Sequence, residues 1–200
     1  MKTVFFDVDT QLDFLYPAGA LAVPGAEAIV KPLSALTSFA AANHIQIVST
    51  ADAHTEDDPE FKTWKPHCVV GTTGQQKAAG TLLPQRLVVT TAPGAHLTDA
   101  PQIIVEKQML DCFSNPNLRP LLQLLKADHY VVYGVVTEYC VRCAAFGLLE
   151  TAAQVELVTD AIKSLNAADQ REMMEGFRAQ GGRLTTVAAV PASIATEPRA

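Results

Sequence analysis

The sequence predicts a three-layer α/β/α fold with a central, mainly parallel sheet of about six strands. Short runs of β-branched residues alternate with longer segments of helical periodicity, which is typical of crossover units that feed a parallel sheet. The run 129–136 is apolar almost throughout, as expected of a central strand buried on both faces. We expect a single domain over residues 1–190, followed by a tail over 191–200.

The predicted elements follow one another in the order strand, then helix. The first strand covers 3–8, and a turn rich in glycine and proline comes after it. A helix with one buried face is predicted next, because apolar residues recur there at spacings of three and four; they are Ile29, Leu33, Leu36 and Phe39. Later strands are predicted at 45–49, 87–91, 103–106, 129–136, 155–159 and 184–187, and later helices at 117–126, 138–152 and 168–179.

Composition restricts the kinds of partner. The 200 residues are 48% hydrophobic and 18% charged, which excludes intrinsic disorder. A formal net charge of -6 disfavours nucleic acid and anionic membrane as partners. No apolar run approaches the roughly 20 residues of a spanning helix, and the start MKTVFFDVDTQLDF lacks the apolar stretch of a signal peptide. We expect a cytoplasmic protein with a small-molecule substrate; its oligomeric state, a homo-oligomer included, stays open.

Reactive side chains follow four of the predicted strands. The carboxyl ends of parallel strands meet at one edge of a sheet, where open α/β folds bind their ligands. An acid, a metal-type cluster, a cation and a thiol are therefore expected at this edge. The residues concerned are Asp9 after the first strand, Asp52 and His54 after the second, Lys107 at the end of 103–106, and Cys140 after the central strand.

Cys140, in GVVTEYCVRCAA, lies at the predicted start of a helix. The helix dipole and unpaired N–H groups there favour a thiolate and supply an oxyanion hole, which makes Cys140 a candidate nucleophile. Two alternatives stay open: a buried cysteine that only packs, and a C-x-x-C redox pair with Cys143. Cys68 and Cys112 are interpreted as packing residues, since four irregularly spaced cysteines are too few for a disulfide framework.

The acid and the cation have specific expected roles. A carboxylate at the end of a buried strand acquires a raised pKa, so Asp9 is a candidate for proton transfer. Its neighbours Asp7 and Asp13 are interpreted as cap or turn residues. Lys107 would be uninformative alone, but beside a cysteine it would stabilise the thiolate.

The segment STADAHTEDDPEFKTWKPHCVVGTTG contains a candidate metal site. One carboxylate and two imidazoles, from Asp52, His54 and His67, leave open coordination positions, which is typical of a catalytic divalent site; surface histidines are the alternative. Zinc is the first expectation, and iron and manganese accept the same ligands. Asp58 is left open as an additional ligand or a solvated acid, and Trp64 as a ring-stacking wall or a loop anchor.

Five separated motifs resemble the isochorismatase-like cysteine hydrolase superfamily, and within it most of all the nicotinamidases. They are DVDTQLDF, DAHTEDDPEF, WKPHCVVGTTG, Lys107 and GVVTEYCV, and the resemblance extends over residues 2–187. The nicotinamidase branch is favoured by the acid-and-histidine cluster, by W-x-P-H-C-V-x-G-T and by GALAVPG. The chain departs from that branch at Asp58, where many nicotinamidases have a further histidine, and in the segment KQMLDCFSNPNL, which is shorter than in many of them.

The resemblance implies a Rossmann-like strand topology and a role for each site residue. It implies a catalytic triad of Asp9, Lys107 and Cys140, and a metal held by Asp52, His54 and His67. It also implies a cis peptide between Val135 and Val136, an oxyanion hole formed by the N–H groups of Val136 and Cys140, and a substrate ring flanked by Phe14 and Trp64.

The activity implied by the resemblance is metal-assisted hydrolysis of nicotinamide to nicotinate and ammonia through a thioester, as in NAD salvage. One alternative is another hydrolase of the superfamily that acts on a different small amide, a ureido or carbamoyl compound, or a vinyl ether. Alternatives of other classes are a non-catalytic binding or regulatory protein and a C-x-x-C redox protein.

Overall fold

A computed structural model describes residues 1–97 and 99–195, and within these ranges seven parallel strands form one sheet. Their order across the sheet is β3-β4-β2-β1-β5-β6-β7. The predicted parallel sheet is confirmed, and each of its seven strands overlaps one of the predicted runs, although the expected total was about six. The strands are β1 (Thr3–Val8), β2 (Gln46–Asp52), β3 (Arg86–Val89), β4 (Gln102–Lys107), β5 (His129–Val135), β6 (Gln154–Lys163) and β7 (Arg183–Thr185).

Helices cover both faces of the sheet and complete the three layers. One face carries α2 and α6, and the other carries α3, α4 and α5, each face with its own apolar core. No helix in the described ranges is both long and apolar enough to cross a membrane. The helices are α1 (Leu12–Leu15), α2 (Val30–Ala42), α3 (Leu118–Leu125), α4 (Arg142–Leu149), α5 (Ala167–Ala179) and α6 (Val190–Ala195).

The C-terminal region differs from the expected tail. Residues Val190–Ala195 form α6, and Val190 is fully buried in the same core as α2. Apolar burial at Val190 therefore extends the folded chain past the predicted boundary at residue 190. The rest of the expected tail, 196–200, lies outside the described residues.

Strands β1 and β5 mark the point where the chain changes direction across the sheet. From β1 the chain builds β2, β3 and β4 on one side, and it then returns to place β5 on the other side. Ligands of open α/β sheets bind at the carboxyl ends of such a strand pair. Gly134 lets the two strands approach there, because a Cβ at this position would lie 2.0 Å from the carbonyl oxygen of Val8.

The long loop between β2 and β3 is anchored beneath this edge by a buried ion pair. Lys77 Nζ lies 3.1 Å from Asp7 Oδ2, and Asp7 also accepts hydrogen bonds from Thr10 and Ser49. Asp7 is therefore a fully buried ion-pair partner, which corrects its interpretation as a cap or turn residue. Asp13 likewise differs from that interpretation, since it lies inside α1 and holds two distant loop segments by accepting the backbone N–H groups of Ala20 and Cys68.

Candidate active site

The sheet brings four of the predicted site residues together at its carboxyl edge. Asp52 and Lys107 are direct partners in the register of β2 and β4, so their side chains leave adjacent strands at the same level. Asp9 comes directly after β1 in a left-handed conformation, with φ of 48°. Cys140 lies in a π-helical turn, Thr137–Val141, that connects β5 to α4.

Lys107 is the centre of this cluster. Its Nζ lies 3.0 Å from Asp9 Oδ2 and 3.6 Å from Cys140 Sγ, and it forms a further ion pair with Asp52 Oδ1. Burial alone would lower the pKa of Lys107, but the carboxylates of Asp52 and Asp9 raise it well above its ordinary value. Lys107 is therefore a permanent ammonium ion that contacts the acid, the thiol and the candidate metal site at once.

Asp9 is placed to exchange a proton. Its Oδ1 accepts a hydrogen bond of 2.6 Å from Thr50 Oγ1, which fixes the carboxylate. Its Oδ2 receives no well-aligned N–H or O–H hydrogen bond from the residues that the structure describes. Burial raises the pKa of Asp9, although the charge of Lys107 opposes the shift. A buried carboxylate with a raised pKa that interacts with the Cys140 thiol suits general acid and base chemistry.

Cys140 is a neutral thiol in the resting protein, which corrects the expectation that its thiolate is favoured. Burial raises the pKa of Cys140 well above its ordinary value, and Lys107 only partly opposes this. The charges of Asp9 and Asp52 raise the pKa further. The proton therefore has to leave as the sulfur attacks.

The remaining cysteines lie in the scaffold. Cys68 and Cys112 are buried and Cys143 is partly exposed, and all four thiols are free. Burial raises the pKa of Cys112 well above the ordinary value of a thiol. Cys68 and Cys112 are thus packed thiols, in the way expected of buried cysteines.

Asp52, His54 and His67 form a buried group that can hold a metal ion. One potential ligand atom of each lies within 4.8 Å of the others. The Nε2 atoms of His54 and His67 lie 3.9 Å and 3.7 Å from Asp52 Oδ2. Burial alone would raise the pKa of Asp52, but Lys107 and the two imidazoles lower it, so this carboxylate stays ionised.

Contacts on the far side of each imidazole show that the three residues fit a divalent metal. His54 Nδ1 lies 3.0 Å from Asp58 Oδ2, and His67 Nδ1 lies 2.7 Å from the carbonyl oxygen of Lys65. Both partners accept hydrogen bonds, so each Nδ1 carries the proton and each Nε2 keeps its lone pair. His54 Nε2 is buried and has no hydrogen-bond partner among the described residues, as expected of a nitrogen that binds a metal.

A small pocket beside these groups has aromatic side chains in its lining. Phe14 and Trp64 both line it, together with Cys140 and Asp52. The Phe14 ring centroid lies 5.4 Å from that of His67, and the Trp64 centroid lies 5.2 Å from that of Tyr139. The pocket therefore offers aromatic surfaces to a small ring, and Cys140 with the metal-type residues Asp52 and His67 also lines it.

The backbone before Cys140 contains the cis peptide that the family resemblance implies. The peptide bond between Val135 and Val136 is cis. The Val136 carbonyl oxygen accepts hydrogen bonds of 3.1 Å from the N–H groups of Tyr139 and Val141, which flank Cys140 in sequence. Val136 and Cys140 both line the pocket.

The sequence interpretation missed several residues of the site. Thr50, which donates a hydrogen bond to Asp9, lies two positions before Asp52 on β2 and therefore points to the same face of the strand. The alternation of side chains along this strand could have identified Thr50 from the sequence. Glu60, Tyr139 and Leu165 also line the pocket. They come from loops and a helical turn, where strand periodicity gives no indication of direction.

Comparison with known proteins identifies the family. The isochorismatase domain matches residues 3–189. Nicotinamidase from Saccharomyces cerevisiae is 25% identical over 80% of this chain and 87% of its own length, and nicotinamidase/pyrazinamidase from Mycobacterium tuberculosis is 25% identical over 86% and 91%. Pyrazinamidase of Pyrococcus horikoshii, solved in complex with zinc, has a TM-score of 0.77 and 25% identity, covering 93% of this chain and 99% of that one. The chain belongs to the isochorismatase family.

Proposed function

We propose that the protein is a metal-assisted cysteine amidohydrolase that converts nicotinamide to nicotinate and ammonia. One observation carries the proposal: Lys107 contacts the acid Asp9, the thiol Cys140 and the metal-type carboxylate Asp52 within one buried site. The nicotinamidases and pyrazinamidases similar to this chain support the same chemistry. A role in cytoplasmic NAD salvage is part of the proposal.

The first half of the reaction forms a thioester. Asp9 takes the proton of Cys140 while the sulfur attacks the carboxamide carbon, and Lys107 stabilises the negative charge on the sulfur. The C–S bond forms, and the oxyanion is held by the N–H groups of Val136 and Cys140. Protonated Asp9 then returns its proton to the leaving nitrogen as the C–N bond breaks, which releases ammonia.

The second half hydrolyses the thioester. Asp9, again a carboxylate, removes a proton from a water molecule that attacks the thioester carbon. The same oxyanion donors hold the second tetrahedral intermediate. The C–S bond breaks, the acid product leaves, and the proton returns from Asp9 to the sulfur of Cys140.

Asp52, His54 and His67 would hold the metal, with zinc the first candidate because a zinc complex of the Pyrococcus horikoshii pyrazinamidase has the same fold; iron and manganese also accept these ligands. A bound divalent ion would accept the pyridine nitrogen and withdraw electrons from the ring. Phe14 and Trp64 would hold the ring and present the carboxamide to Cys140, which lines the same pocket.

Ammonia release from nicotinamide tests the proposed function. Turnover is expected with the metal-loaded protein and is expected to fall after treatment with a chelator and dialysis. A panel of other small amides, ureido and carbamoyl compounds and a vinyl ether should be hydrolysed more slowly. Faster hydrolysis of a panel member would assign the same cysteine chemistry to a different substrate.

Replacing one imidazole of the metal group should remove both the metal and the activity. For His67→Ala we expect metal content below about a tenth of the wild-type value, because two protein ligands bind a divalent ion weakly. Elemental analysis of the dialysed protein measures this, alongside ammonia release. His44→Asn, at an exposed position, is the control and should keep both. An unchanged metal content in His67→Ala would remove His67 from the ligand set.

A further inference from the structure

Asp58 is buried beside the candidate metal ligands and uses both carboxylate oxygens within the protein. Its Oδ2 lies 3.0 Å from His54 Nδ1. Its Oδ1 accepts a hydrogen bond of 2.9 Å from the backbone N–H of Glu60, which caps the short helical turn Pro59–Lys62. The carboxylate is therefore held on two sides, and its orientation is fixed.

The geometry places Asp58 behind His54 and outside the ligand group. In the described part of the chain, the atoms close enough to share one metal belong to Asp52, His54 and His67. His54 directs Nε2 toward Asp52 and Nδ1 toward Asp58, so the two carboxylates contact different nitrogens of the ring. Asp58 would have to break its contact with His54 before it could bind the same metal.

The turn that Asp58 caps also holds the histidine rings by packing. Phe61, three residues on, has its ring centroid 5.2 Å from that of His54 and 5.7 Å from that of His67. The hydrogen bond at Nδ1 fixes the rotation and tautomer of His54, while the Phe61 ring limits its tilt. The segment Asp58 to Phe61 thus fixes one ligand from two directions.

We propose that Asp58 is a positioning residue that orients His54 for metal binding, so that the protein supplies three ligands and no fourth. The inference rests on the metal site of the proposed function. Its chemical basis is that a carboxylate on Nδ1 fixes the tautomer with a free Nε2 and makes that nitrogen a stronger donor. Three protein ligands leave open positions at the metal for water and substrate.

Titration of the metal-free protein with zinc and with cobalt tests this role. Asp58→Ala is expected to bind both ions about 10- to 100-fold more weakly. Asp58→Asn should fall between it and the wild type, because its single amide oxygen can still accept from His54 Nδ1 but then no longer accepts from the backbone N–H of Glu60. Asp57→Asn, at the exposed neighbouring position, is the matched control and should bind like the wild type. Cobalt-loaded Asp58→Asn should keep the wild-type visible absorption, since no ligand is lost.

The ¹⁵N resonances of His54 give a readout that needs neither metal nor substrate. In the metal-free wild type and in Asp58→Asn the proton should reside on Nδ1, and in Asp58→Ala it should move toward Nε2. Wild-type zinc affinity and an unchanged tautomer in Asp58→Ala would overturn the proposal, as would a changed cobalt spectrum in Asp58→Asn. A wild-type protein that binds neither ion would overturn the metal site itself, whereas inactivity toward nicotinamide alone would leave these results standing.

Discussion

Cys140→Ala should abolish turnover while the protein stays folded. Loss of a catalytic nucleophile typically lowers kcat by about 10⁴-fold or more, because no other group forms the covalent intermediate. The substitution removes one buried sulfur atom and should change the free energy of unfolding by only about 1 kcal/mol. Ammonia release measures the first effect and thermal unfolding the second.

Cys143→Ala is the matched control for this experiment. Cys143 is partly exposed and follows Cys140 on the same helical segment, and the proposed mechanism gives it no role. The variant should therefore keep wild-type kcat. Equal losses in both variants would favour the C-x-x-C redox alternative, and retained turnover in Cys140→Ala would remove Cys140 from the mechanism.

Asp9→Asn should abolish turnover and at the same time stabilise the folded protein at neutral pH. Removal of the general acid and base is expected to lower kcat by about 10³-fold. Burial raises the pKa of Asp9 in the folded state, so the ionised carboxylate destabilises that state above this pKa. Asparagine removes the charge and can still accept the hydrogen bond from Thr50, while Lys107 keeps its ion pair with Asp52.

The pH dependence distinguishes this explanation from general damage to the site. A group with a raised folded pKa binds its proton more tightly in the folded state, so the wild type gains stability as the pH falls through that pKa. The excess melting temperature of Asp9→Asn should consequently be largest above the folded-state pKa of Asp9 and shrink as the pH falls through that pKa. Asp57→Asn removes an exposed charge and should show neither effect. A variant less stable than wild type at pH 8 would contradict the raised pKa.

The strands of the sheet were predictable from the sequence where they are deeply buried, because a buried strand needs a run of apolar residues. The apolar run at 129–136 corresponds to β5, whose seven residues are all buried between β1 and β6. The edge strand β7 has only three residues, and none of them is fully buried, so its apolar pattern in the sequence is weak. Apolar periodicity reports how deeply an element is buried, so the predicted run 184–187 overlaps this edge strand but differs from it at both ends.

The composition of the site was predictable because Asp9, Lys107 and Cys140 each come at or just after the end of a strand. Their protonation states were not, because these depend on charges from distant parts of the chain. Cys140 was expected to favour the thiolate, but its burial and the charges of Asp9 and Asp52 keep it protonated. Asp7 was misinterpreted for a similar reason, since it lies in β1 and its partner Lys77 comes from the distant loop between β2 and β3.

The aromatic wall of the pocket also provides an optical probe. Trp64 is the only tryptophan in the chain, and its ring contacts Tyr139, the residue next to Cys140. All tryptophan emission therefore originates at the active site. A flat ring that enters the pocket should quench or shift that emission, so substrate binding can be followed by fluorescence in the catalytically inactive Cys140→Ala protein without any added label.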